Sequence, residues 1–146
     1  MYHYNDGGRT EAGYKGYAGD CVVRSVAIVT GRPYQTVYEE LTAGNVTERK
    51  SRIKTARRLC SAREGVHTGR KWFKDYMTRL GFTWTPTMGI GTGCTVHLKA
   101  EELPKGRLVA SLSKHMVAVI DGMVNDVYDP SRGGTRCVYG YWMLKG

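Results

Sequence analysis

At 146 residues the chain has room for one domain built around one hydrophobic core of ordinary size. Its 41% hydrophobic and 24% charged fractions exclude a disordered or fibrous chain, and no apolar run approaches the ~20 residues that span a bilayer. The net charge of +9, from 22 Lys and Arg against 13 Asp and Glu, favours an anionic partner and says nothing about fold.

Residues 1–18 are polar and rich in Gly and Tyr, and read as an irregular lead-in on the surface. They hold no apolar segment of the kind that directs export, so the expected location is cytoplasmic, with reduced thiols. Cys21, Cys60, Cys94 and Cys137 stand far apart with no C-x-x-C pair, which argues against a metal site, and no cofactor is expected.

The segment GDCVVRSVAIVTGRPY changes the character of the chain. Val22, Val26 and Val29 recur at helical spacing and predict a buried helix from Asp20 to Thr30, with Asp20 as N-cap and Gly31 as stop. A second helix should start at Pro33, pack through Tyr34, Val37, Tyr38 and Leu41, and end at Gly44. A third is expected from Glu48 to Ala62. It carries Arg49, Lys50, Arg52, Lys54, Arg57 and Arg58, a run that reads first as a solvated face. A fourth fits Arg70 to Leu80, with Trp72, Phe73, Tyr76 and Leu80 inward and Gly81 as its stop.

From Phe82 the pattern turns to strands. GRLVASLS reads as one, HMVAVID and MVNDVYD flank an Asp121-Gly122 hairpin turn, and RCVYGYW supplies the last. Helices first and antiparallel strands afterwards give an α+β fold in a single domain, residues 1–146.

Cys21 opens the first helix, where the helix dipole and unpaired amides favour a thiolate and its own amide can face a developing oxyanion. His115 stands at the entry of a strongly apolar strand, where a core residue would pack more cheaply. The hairpin after it returns Asp126 and Asp129 to the same end. A two-residue turn puts Asp126 on the histidine's face, whereas a three-residue turn with a bulge sets Asp129 directly opposite. Cys94 and His97, in GTGCTVHLK, form a rival pair or line the cleft.

GDCVVRSVAIVTG and KHMVAVIDGMVNDVYDPSR together resemble the papain-like cysteine peptidase superfamily. There a Cys at the head of the central helix meets a His on the sheet, and an Asn or Asp on the next strand completes a triad. The Asp-Pro step is similar to that of bacteriocin-leader peptidases and transglutaminase-like domains, and the two blocks also resemble those of uncharacterised phage and bacterial proteins. The resemblance implies N-terminal helices with the nucleophile helix packed on a C-terminal antiparallel sheet. It also implies Cys21 as nucleophile, His115 as base and Asp129 as the preferred acid, with Asp126 as runner-up. Papain-like peptidases usually place a Gln before the nucleophile as second oxyanion donor. Here Lys15 and Tyr17 stand instead, so that donor is Tyr17, Lys15 or a backbone amide, or else the site binds without cleaving.

The expected activity is therefore that of a thiol hydrolase acting on a peptide, isopeptide or other amide. The alternatives are a silent binding module for an anionic protein or nucleic acid, and an amine acyltransferase of transglutaminase-like type. A protein or peptide substrate and no membrane contact are expected.

Overall fold

The computed structural model describes residues 2–13, 20–51, 68–89 and 91–145. Its elements are β1 (Tyr2–Tyr4), α1 (Cys21–Thr30), α2 (Tyr34–Ser51), α3 (Lys71–Arg79), β2 (Phe82–Pro86), a 3-10 turn (Ala100–Glu102), β3 (Arg107–Leu112), β4 (His115–Ile120), β5 (Met123–Asp126) and β6 (Gly140–Leu144). The fold is α+β, as its order of helices and strands implies. No helix among the described residues is long and apolar enough to cross a membrane.

The six strands form one sheet in the order β1-β5-β4-β3-β6-β2. Four of its pairings are antiparallel, but β1 lies parallel to β5, with Tyr2 beside Val124 and Tyr4 beside Asp126. This corrects two expectations: the lead-in is not wholly irregular, and the sheet is not purely antiparallel. A three-residue strand beginning at residue 2 has too little alternation to be read from pattern alone.

β4 explains why HMVAVI is continuously apolar. Met116 and Ala118 pack with α1, α2 and α3, while Val117 and Val119 pack on the other face with Leu98, Leu103, Leu108, Val124 and Val138. A strand buried on both faces has no polar side to show.

α1 begins and ends where expected. Gly31 takes a left-handed φ of 75° and returns its amide to the Ala27 carbonyl at 2.9 Å, closing the helix. α2 does not stop at Gly44 but continues to Ser51. Gly44 is a packing site, since a Cβ there would run into the Trp72 indole of α3. Of the helix expected over Glu48 to Ala62, the first four residues belong to α2. The remainder lies outside the described residues, with most of the basic run. α3 buries Phe73, Tyr76 and also Met77.

The hairpin turn is the two-residue one. Ile120 pairs with Met123 across Asp121 (φ 50°) and Gly122 (φ 82°). The polarity of α1 on the sheet is fixed at its far end, where the Arg107 guanidinium donates to the Val29 carbonyl at 3.0 Å. The N-terminus of α1 therefore points to the opposite end of the sheet, where β4 begins and β5 ends.

Candidate active site

Three segments converge there. The last residue before α1, Asp20, offers its carbonyl to the Arg24 amide at 3.0 Å and so starts the helix. Its side chain, expected to cap, does not. The carboxylate is wholly buried and accepts from Arg9 Nε at 3.0 Å, from the Tyr34 hydroxyl at 2.5 Å and from Arg24 Nη1. The negative charge next to Cys21 is thus held by two guanidiniums. Cys21 itself is a free thiol, partly exposed, at the first position of α1.

His115 is the first residue of β4 and follows Lys114, whose φ of 57° bends the chain into the strand. Its Nε2 lies 2.7 Å from Asp126 Oδ2, and both side chains are less than a tenth exposed. With Nε2 on the carboxylate, Nδ1 is the ring nitrogen not taken by Asp126, and Cys21 lies near enough to favour the charged imidazole. Burial opposes charging this imidazole. The hydrogen bond to Asp126 and the nearness of Cys21 outweigh it, helped by the charge of both, and raise the histidine to about 9. The ring of Tyr128 lies beside the imidazole, its centroid 5.5 Å away.

Asp126, the last residue of β5, is itself fixed. Its Oδ1 accepts the Val127 amide at 2.7 Å and Arg24 Nη2 at 3.3 Å. The acid on His115 is therefore Asp126. Asp129, preferred from the resemblance, is corrected: it is exposed beyond the strand end and spends Oδ1 on the Ser131 amide at 3.0 Å. That hydrogen bond, with the Ser131 side chain, holds it below the usual carboxylate range. The two-residue turn decides the matter, because its register brings residue 126 opposite Val117, two residues into β4 and on the same face as His115.

The rival pair is also corrected. Cys94 is joined to Cys137 by a disulfide, with Cα atoms 5.8 Å apart, so its sulfur is not a nucleophile and these two thiols are not reduced. His97 is bound instead to Glu102, at 3.1 Å from Nδ1, and its amide donates to the same oxygen at 3.0 Å. Lys15 and Tyr17, the candidate second oxyanion donors, lie outside the described residues.

Sequence reasoning passed over Arg24. Its signal was available: a lone arginine within VVRSVAIV, three positions after Cys21 and inside an otherwise apolar run. Such a charge on a buried helix has to be paired with acids from elsewhere in the chain.

A cleft of about 480 Å³ opens beside Met116, the residue after His115, and is lined by Trp84, Pro86, Met88, Ser111, Tyr139 and Trp142 among others. Trp84, Met88 and Tyr139 are each about 40% exposed there. No protein-family model matches the chain, and comparison with curated proteins and with solved structures finds no significant match to either.

Proposed function

We propose that the protein is a cysteine hydrolase of peptidase type, acting on a peptide, isopeptide or other amide through Cys21, His115 and Asp126. The observation that carries this reading is the His115 imidazole, held 2.7 Å from a fixed Asp126 carboxylate and close to a free thiol at the head of a helix. Each position suits its role. The imidazolium and the head of α1 both favour a thiolate, and Asp126 orients the ring.

The sulfur of Cys21 attacks the amide carbonyl, and the resulting oxyanion faces the amides at the start of α1. His115 gives its proton to the leaving amine as the C–N bond breaks, leaving a thioester. Water, deprotonated by His115, then attacks the thioester. The acid leaves and the thiol and imidazole are restored.

Site-resolved mass spectrometry after limited iodoacetamide treatment at mildly acidic pH tests this reading. Cys21 should be alkylated at least about tenfold faster than Cys60, and faster than Cys21 in the unfolded chain. A panel of peptide acyl probes should modify Cys21 alone, and Cys21→Ser should abolish both signals. Equal labelling of Cys21 and Cys60 in the folded protein would overturn it. The competing reading, a silent module that grips an anionic partner through the +9 charge, requires binding that survives Cys21→Ala and weakens steeply with salt.

A further inference from the structure

We propose that Arg24 is a positioning residue of this site: its guanidinium ties the helix that carries the thiol to the strand that carries the acid, and supplies the charge that lets the thiolate form. The inference rests on the reading of Cys21, His115 and Asp126 as a thiol hydrolase site.

Arg24 sits one turn into α1 and is almost wholly buried. Its two terminal nitrogens part company: Nη1 donates to Asp20 beside the thiol, and Nη2 donates to Asp126 on β5 at 3.3 Å. Its Nε is buried with no partner among the described residues. A guanidinium can hold two carboxylates in different directions, while an ammonium is a single point of charge. The fork therefore does what Lys could do only in part.

Charge balance makes the same point. Among the described residues, the groups facing this cluster are Arg9 from the N-terminal segment, Asp20 just before α1, Cys21 and Arg24 from α1, Tyr34 from α2, His115 from β4, Asp126 from β5 and Tyr2 from β1. Burial, aided by the Asp20 carboxylate, holds Tyr34 protonated, and burial does the same for Tyr2 with help from Asp126. Among the described residues, with His115 charged, three cations meet two carboxylates, and a Cys21 thiolate is a third anion to set against them. Removing Arg24 leaves a thiolate one negative charge in excess, in a place where charge is poorly solvated. It also frees Asp126 to act on His115 alone.

The test measures two titrations, the pH dependence of Cys21 alkylation by iodoacetamide and the pH dependence of the His115 ring resonances. It compares the wild-type chain with Arg24→Met and Arg24→Lys. In Arg24→Met both titrations should move upward by about 1 unit, so that alkylation on the acidic limb falls about tenfold. Arg24→Lys should recover part of that shift. If Arg24→Met does not fold, Arg24→Gln, which keeps donors without charge, carries the same comparison. A folded variant whose two titrations match those of the wild type would overturn the proposal. Failure of the hydrolase reading looks different: Cys21 would then titrate as an ordinary thiol in every variant, while His115 alone would still report whether Arg24 sets the field.

Discussion

Among the described residues, two regions bring a cysteine, a histidine and an acid together, and they differ in burial and in the state of the sulfur. At one, Cys21, His115 and Asp126 come from three different elements and meet in a largely buried place. There the thiol is free and the Asp126 carboxylate favours the charged imidazole. At the other, Cys94, His97 and Glu102 are neighbours in sequence, but the sulfur is spent on Cys137 and the half-exposed histidine rests on Glu102. Lys99 and His97 between them hold Glu102 well down, to about 2, as an ion pair on the surface does without any catalytic demand. Proximity of residue types is shared. The difference lies in burial, in a sulfur without a covalent partner, and in a helix N-terminus aimed at it. Those are the features that chemistry needs.

The comparison breaks most readily at the acids. Asp126→Asn should slow acylation of Cys21 by about 10²- to 10⁴-fold, because an amide neither fixes the imidazole tautomer in the same way nor stabilises the imidazolium. Asp129→Asn and Glu102→Gln should leave that rate within about twofold, since neither group touches His115. Single-turnover kinetics with an acyl probe reads all three. Equal losses in Asp126→Asn and Asp129→Asn would show that the acid had been chosen wrongly.

The next largest effect separates stability from reactivity. The disulfide closes a loop with a sequence separation of 43. Chain entropy alone assigns such a loop about 4 kcal/mol, and native bridges contribute about 2–5. Cys94→Ser with Cys137→Ser should lower the denaturation midpoint accordingly, with Cys21 alkylation unchanged in the native state. A parallel loss of Cys21 reactivity would mean that the second region supports the first.

Much of this division was open to reading in the sequence, and the misses have physical causes. Asp20 to Thr30 was readable as a helix because valines recur at its period and Gly31 stops it. The His115 hairpin was readable because Asp121-Gly122 suits a tight turn between apolar runs. Which acid meets His115 depended on a one-residue choice of turn length, and a pattern that fits both turns cannot make that choice. Gly44 misled because a glycine in a helix looks like an ending, whereas here it admits the Trp72 ring from an element some thirty residues away. The disulfide escaped because spacing cannot show that a loop folds back. Arg24 escaped because its two partners lie apart, one four residues earlier at the head of the helix and one on β5.

The smallest effect is a slope. His115 is raised to about 9 in the folded chain from an ordinary 6.5, so between those values the native state holds a proton that the unfolded state has released. Stability from this group is complete below about 6.5 and is lost as pH rises through about 9. Chemical denaturation of the Cys21→Ser chain, which has no thiol to release an opposing proton, should show the midpoint falling as pH increases above about 6.5. His115→Ala should remove most of that fall, while His97→Ala, acting in the other region, should leave it in place. A slope that survives His115→Ala would assign the proton to another group and would take away the imidazolium on which the thiolate depends.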